Sequence, residues 1–108
     1  MRVFALKSCD TCRKALKAMR EAGMEPEVID VRADGVGEAD RAAILAAFGD
    51  AALNKASTTW RGLDDAEKAQ PAAALLTAHP TLMKRPVIEK DGQWYLGWKA
   101  DVQAAVIG

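Results

Sequence analysis

The strongest constraint on the fold is a strand, a helix and a second strand within the first 31 residues. Residues 3–6 form a short apolar run that stops at a Lys-Ser pair, as a buried strand does before a turn. Over residues 12–22 apolar side chains recur at helical spacing with basic residues opposite, and Gly23 is placed to end the helix. Residues 26–31 form a second apolar run. This spacing predicts a βαβ unit with parallel strands.

The rest of the chain predicts a helical block followed by a hairpin and a last helix. The predicted helices are residues 42–48, 63–70, 72–78 and 100–106, a turn is expected near 51–54, and residues 58–63 are predicted to be a connection. Two short apolar runs, 86–89 and 93–96, flank Asp91-Gly92, which is a hairpin signal. The order predicts an α/β, thioredoxin-like fold: a small mixed sheet flanked by helices. We expect one domain over residues 1–108, with a helical insertion at about 34–83.

Charge and cysteine content narrow the classes of protein to consider. Fifteen Lys and Arg balance fifteen Asp and Glu, which counts against a protein that binds nucleic acid through a broad basic surface. Two cysteines are too few for a disulfide-stapled secreted scaffold. The first apolar run is too short for a signal peptide, and no run is long enough to cross a membrane. We therefore expect a cytoplasmic protein that binds neither membranes nor nucleic acid.

The clearest chemical motif is Cys9-Asp10-Thr11-Cys12, which follows the first predicted strand and begins the helix. A nucleophilic sulfur must be a thiolate, and a free cysteine with a pKa of about 8.5 is mostly protonated at neutral pH. Helix N-termini stabilise anions, and the nearby sequence has a local excess of basic residues. Because Cys9 precedes the helix and Cys12 continues its apolar face, we predict that Cys9 attacks and that Cys12 resolves a mixed disulfide.

Other interpretations of this motif stay open. The two cysteines could be small core residues that are neighbours by chance. A zinc site is disfavoured because zinc takes about four ligands and the one histidine, His79, is far away in the sequence. We expect no metal and no tightly bound cofactor.

The chain resembles the ArsC/Spx/YffB family, the arsenate-reductase-like branch of the thioredoxin fold, and is most similar to its YffB-type members. The segments that carry this resemblance span nearly the whole chain: Cys9-Asp10-Thr11-Cys12-Arg13-Lys14-Ala15, Ala52-Leu53-Asn54-Lys55, Thr58-Thr59-Trp60-Arg61-Gly62-Leu63-Asp64 and Met83-Lys84-Arg85-Pro86-Val87.

The resemblance implies several site residues. Cys9 matches the nucleophile, and Arg85 matches an arginine that holds an anion beside the sulfur, a role suited to the planar guanidinium. Pro86 matches a cis proline that faces the active cysteine. The residue-based alternative is a trans proline with a solvated arginine. The predicted catalytic residues are therefore Cys9, Cys12 and Arg85, and the predicted substrate contacts are Thr11, Arg13, Arg61 and Pro86. A surface ion pair is an equal alternative for Arg61.

Departures from the family pattern matter for the reaction. Arsenate reductases of this type use three arginines, and the matching positions here are Asn54, Arg85 and Trp98. Two lost charge-assisted contacts, each about 1.5–3 kcal/mol, disfavour arsenate reduction. The three tryptophans, Trp60, Trp94 and Trp98, could line a groove for glutathione or a peptide, but we expect them to fill the core.

Two functions therefore compete. The first is a thiol–disulfide oxidoreductase that acts on a small thiol or disulfide, with glutathione as co-substrate and a glutaredoxin- or thioredoxin-type protein as a further reductant. The second is a redox-sensing transcriptional regulator of the Spx type that binds RNA polymerase, which the second cysteine, Cys12, favours. A partner-binding member without catalysis is a third possibility.

Overall fold

A computed structural model describes all residues, 1–108. Its strands are β1 (Arg2–Ala5), β2 (Glu27–Asp30), β3 (Val87–Lys90) and β4 (Gln93–Leu96). Its helices are α1 (Asp10–Glu21), α2 (Glu38–Phe48), α3 (Thr58–Arg61), α4 (Asp65–Lys68), α5 (Ala72–Ala78) and α6 (Ala100–Ile107), with 3₁₀ turns at Gly49–Ala52 and Pro80–Leu82. The chain forms two compact units: residues 1–34 with 85–108, and residues 35–84. The second unit lies close to the predicted insertion bounds of about 34–83.

The first unit contains the whole sheet, in the order β2-β1-β3-β4. β1 runs parallel to β2 and antiparallel to β3, and β3 pairs antiparallel with β4. The predicted βαβ unit and hairpin are therefore both present, and the predicted mixed sheet of a thioredoxin-like fold is confirmed. At the hairpin, Asp91 and Gly92 have φ of 53° and 78°, the left-handed conformation that a tight two-residue hairpin turn requires.

One face of the sheet packs against α1 and α6. The buried cluster there joins Val3 and Ile88 of the sheet to Ala15 and Met19 of α1 and Val106 of α6. Burying an apolar side chain of this size contributes about 1.5–3 kcal/mol. This packing fixes α1 with its first turn beside the end of β1, which sets where the two cysteines lie.

In the second unit, two short helices begin at side-chain caps. The hydroxyl of Ser57 accepts the N–H of Trp60 at 3.1 Å, and the carboxylate of Asp64 accepts the N–H of Glu67 at 2.7 Å. The prediction of a connection over residues 58–63 is therefore wrong, because the Ser57 cap starts a helical turn, α3, at Thr58.

The tryptophans, which were predicted to fill the core, lie at its margin, and Trp98 packs against the buried cluster of the first unit. Trp60, Trp94 and Trp98 are all partly exposed. Trp94 lies on β4, an edge strand, where its ring packs 5.9 Å from that of Phe4. The ring of Trp60 has two ammonium groups within cation–π distance, those of Lys55 at 5.4 Å and Lys68 at 5.7 Å. The largest fully buried side chains are those of Phe4 and of a set of Leu, Ile, Val and Met residues.

None of the helices combines the length and apolar character needed to span a bilayer.

Candidate functional site

Cys9 and Cys12 occupy two distinct environments at the start of α1. Cys9 is the last extended residue before the helix, with φ −88° and ψ 114°, and its N–H donates to the carbonyl of Leu6 at 3.0 Å. Its own carbonyl accepts the N–H of Arg13 at 3.1 Å, the first hydrogen bond of the helix. Cys9 is partly exposed, whereas Cys12 is 1% exposed and packed in the core cluster. Both are free thiols.

Opposing influences set the pKa of Cys9. Partial burial is the largest single influence and raises the pKa, but the backbone N–H and the thiol of Cys12 and the guanidinium of Arg85 together hold it below its ordinary value. The backbone N–H of Cys12 is the largest of the causes that lower the Cys9 pKa. The net result is a thiol with increased thiolate character.

The pKa of Cys12 moves the other way. Burial is the main cause, and the hydrogen bond and charge from Cys9 add to it, so that the pKa rises to about 12. The backbone N–H of Leu6 and the charge of Arg85 lower the Cys12 pKa but do not offset the burial. The site therefore holds one thiol disposed to ionise and one held neutral beside it.

The sheet register explains why Arg85 reaches the cysteine pair. Phe4 on β1 is paired with Val87 on β3 in an antiparallel ladder. Continuing that register sets Arg85 opposite Leu6, in the segment that leads from β1 to Cys9. The Nε atom of Arg85 is buried, and its guanidinium hydrogen-bonds the Cys9 sulfur. The Arg85–Pro86 peptide bond is cis, as the resemblance implies, and Pro86 is buried.

The predicted substrate contacts have different surroundings. Thr11 is exposed in the first turn of α1. Arg13 is also exposed, but its guanidinium bonds the carboxylate of Asp10 within the same turn. The pair offsets the acidic charge that Asp10 places beside the cysteines. Arg61 ends α3 in the second unit, where it is exposed.

Sequence reasoning missed a loop built around Asp30 at the end of β2. Its carboxylate accepts the N–H groups of Arg32 and Ala33, each at 2.8 Å. The N–H of Ala33 is the largest cause that lowers the Asp30 pKa, and Lys7 contributes less. Asp34 in turn accepts the N–H of Asp30 at 3.0 Å. An aspartate at a strand end that is followed by turn residues is the signal that could have predicted this loop.

No group of three or more His, Cys, Asp or Glu side chains is arranged to hold a metal ion.

The sequence matches the ArsC family model over residues 4–106. An uncharacterized protein from Haemophilus influenzae is 38% identical in an alignment of 109 positions that covers 95% of this chain and 96% of that protein. Among solved structures, a protein named YffB superposes with a TM-score of 0.88 at 34% identity, over 98% of this chain and 97% of its own. An arsenate reductase (ArsC) related protein from Brucella melitensis superposes with a TM-score of 0.71 at 30% identity, over 96% and 93%. Since the family match covers nearly all of the sequence, the chain belongs to the ArsC family.

Proposed function

We propose that this protein is a glutathione-dependent thiol–disulfide oxidoreductase in which Cys9 is the nucleophile and Cys12 is the resolving thiol. Membership of the ArsC family supports a thiol oxidoreductase-like function in general terms. The finer assignment comes from the cysteine pair and Arg85.

The observation that carries the proposal is the opposite displacement of the two thiol pKa values. The pKa of Cys9 is lowered, and Cys9 is reachable from solvent, whereas the pKa of the buried Cys12 is raised to about 12. Attack on a disulfide needs a thiolate that a substrate can approach. Cys9 meets both requirements in the reduced protein, and Cys12 meets neither.

The reaction would proceed in two exchange steps. The Cys9 thiolate attacks one sulfur of the substrate disulfide, forms a mixed disulfide with it and releases the other half as a thiolate. Cys12 then loses its proton to solvent or to the released thiolate and attacks the Cys9 sulfur. The Cys9–Cys12 disulfide forms and the second substrate thiol leaves. The substrate gains two electrons and the cysteine pair loses two.

Formation of the mixed disulfide would itself prepare Cys12. The hydrogen bond and charge of ionised Cys9 raise the Cys12 pKa, while Arg85 lowers it. Once Cys9 is bonded to substrate it carries no charge, so two of the causes that raise the Cys12 pKa disappear and the effect of Arg85 remains. Cys12 therefore becomes easier to ionise at the step that requires it.

Arg85 supplies the reason to favour an anionic disulfide substrate, such as a mixed disulfide between glutathione and another thiol. Its guanidinium hydrogen-bonds the Cys9 sulfur, so a carboxylate of a bound substrate can share that charge through charge-assisted hydrogen bonds. Two glutathione molecules would then reduce the Cys9–Cys12 disulfide and leave as glutathione disulfide; a glutaredoxin- or thioredoxin-type protein could serve instead. Because the cycle needs a reducing compartment, we propose a cytoplasmic location.

Mass spectrometry of cysteine variants tests the proposal. The Cys12→Ser protein, incubated with glutathione disulfide, should accumulate one glutathione on Cys9, because no resolving thiol is present. The wild-type protein should pass instead to the Cys9–Cys12 disulfide, and Cys9→Ser should form neither product.

A Cys12→Ser protein that takes up no glutathione under conditions where free cysteine does would reject the oxidoreductase. Retention of RNA polymerase by the oxidised protein and not by the reduced one would then favour the redox-sensing regulator, which the same cysteine pair could serve.

A further inference from the structure

A cavity of about 460 Å³ lies in the first unit, on the side of α1 that faces β2. It is positioned at the carboxyl ends of the parallel strands β1 and β2, where open α/β sheets commonly bind ligands. Its volume is within the range of small-molecule sites. Cys12 contributes to its wall and Cys9 does not, so the proposed nucleophile is not part of this cavity.

The floor of the cavity is apolar. Leu6 follows β1, Leu16 projects from α1, and Val28 lies on β2. Val28 is 39% exposed, which makes it one of three large apolar side chains of the chain left open to solvent. An apolar side chain placed against these residues would be removed from water at about 25 cal/mol per Å² of buried area.

Charges of both signs border this floor on different elements. Arg13 lies on α1, where its exposed guanidinium bonds Asp10 through one of five N–H donors and keeps others for a second anion. Asp30 and Asp34 lie at the end of β2 and in the loop that follows it. Lys7 lies at the end of β1 beside Asp30. Each carboxylate accepts backbone N–H groups, yet a carboxylate offers about four lone-pair sites. A ligand with an ammonium near the aspartates and a carboxylate near Arg13 would match this distribution.

The free edge of β2 adds a backbone contact. The N–H groups of Glu27 and Val31 donate to the carbonyls of Met1 and Ala5, at 2.9 Å each. Because backbone groups alternate along a strand, those of Val28 and Asp30 point away from β1. Asp34 takes the N–H of Asp30, which leaves Val28 as the residue of β2 that can pair with a short extended backbone.

From these features we infer that the cavity binds a short apolar peptide with both termini free. The apolar side chains of the bound peptide pack on Leu6, Leu16 and Val28. Its amino terminus lies at Asp30 and Asp34, and its carboxylate lies at Arg13. The inference concerns binding alone and does not depend on thiol–disulfide exchange.

Nuclear magnetic resonance titration of the reduced, isotope-labelled protein with leucyl-leucine tests the inference. We expect saturable shifts of the amide signals of Leu16, Val28 and Ala33. N-acetyl-leucyl-leucinamide, which lacks both charges, should bind about ten-fold more weakly, a loss of about 1.4 kcal/mol. Shifts that do not saturate, or equal binding of the blocked dipeptide, would overturn the inference.

Two variants locate the site. Ala33 is exposed and lines the cavity, so Ala33→Phe should fill it and abolish binding while the amide spectrum stays folded. Asp34→Asn keeps an oxygen that can accept the Asp30 N–H and should weaken binding several-fold. Asp101→Asn removes an exposed charge on α6 and should leave binding unchanged. Unchanged binding by Ala33→Phe would place the peptide elsewhere.

Glutathione and the Cys9→Ser variant separate this site from the proposed active site. Reduced glutathione should shift the three amides less than leucyl-leucine does at the same concentration, and a stronger response would overturn the assignment of an apolar peptide. Cys9→Ser should bind leucyl-leucine normally although it cannot exchange disulfides. Loss of binding in Cys9→Ser would contradict a site independent of the nucleophile.

Discussion

The sulfur of Cys9 faces the backbone N–H and the thiol of Cys12, the third residue of the helix that Cys9 precedes. This contact makes the ionisation of one thiol oppose that of the other. The Cys12 donors help to lower the Cys9 pKa, and a charge on Cys9 helps to raise that of Cys12. Near neutral pH the pair can therefore carry one negative charge, on Cys9, but not two.

Replacing Arg85 with methionine should raise the pKa of Cys9. Methionine has a similar length but offers neither the hydrogen bond nor the positive charge that lower the Cys9 pKa. The pH dependence of iodoacetamide alkylation, followed by mass spectrometry at Cys9, measures the change. We expect the alkylation curve of Arg85→Met to move to higher pH and the rate at neutral pH to fall.

A matched variant shows whether the Arg85 effect is local. Arg20 lies in the last turn of α1 and is exposed, so Arg20→Met removes the same charge where solvent and salt screen it. Its alkylation curve should match that of the wild type. If both variants moved the curve equally, the effect would come from total charge and not from the contact with Arg85.

Blocking Cys9 should lower the pKa of Cys12. Alkylation of Cys9 with iodoacetamide produces an uncharged thioether that Cys12 cannot displace, and so removes the hydrogen bond and charge from Cys9 that help to raise the Cys12 pKa to about 12. Burial still raises it, so we expect an intermediate value. The pH titration of the Cys12 Cβ signal in the blocked and free proteins gives the two values; an unchanged Cys12 pKa would contradict the proposed activation of the resolving thiol.

The sheet and the cysteine pair could be predicted because their signals are local. The apolar run before Cys9, the helical period after it and the Asp91-Gly92 turn each specify one element, and the structure has all three. The burial of Cys12 followed from its place on the apolar face of α1. Periodicity alone would not have placed Arg85 beside Cys9, because that contact depends on the pairing of β1 with β3.

The cavity beside β2 and the partner of Arg13 could not be predicted from the sequence pattern. The cavity requires the end of β1, the start of α1 and the Asp30 loop to be near one another, and only the folded backbone brings them together. Arg13 bonds the Asp10 carboxylate one turn earlier, and its contact with substrate stays a prediction. The spacing of three residues permits an ion pair between Asp10 and Arg13, but the sequence does not specify which anion an exposed arginine binds.

Substituting Ser57 with alanine should destabilise the second unit. The Ser57 hydroxyl accepts the Trp60 N–H at 3.1 Å and donates to the Asn54 carbonyl at 2.8 Å. Loss of such a cap costs about 1 kcal/mol. Chemical denaturation monitored by circular dichroism should show that loss for Ser57→Ala. Ser8→Ala, at an exposed serine, should leave the free energy of unfolding within about 0.5 kcal/mol of wild type.

Alkaline pH should destabilise the reduced protein through Cys12. Folding raises its pKa from the ordinary cysteine value of 9.0 to about 12, so the unfolded state loses this proton first as the pH rises. The contribution of the neutral thiol is complete below pH 9.0 and declines between 9.0 and about 12. Cys9, whose pKa is lowered by folding, has the opposite effect on stability, and that effect is complete once Cys9 is ionised in both the folded and the unfolded state.

Denaturation under reducing conditions across this pH range measures the effect. The free energy of unfolding should decline less for Cys12→Ala than for the wild type. Cys9→Ala should keep a decline because Cys12 stays buried. Equal slopes for the wild type and Cys12→Ala would mean that other groups cause the alkaline destabilisation.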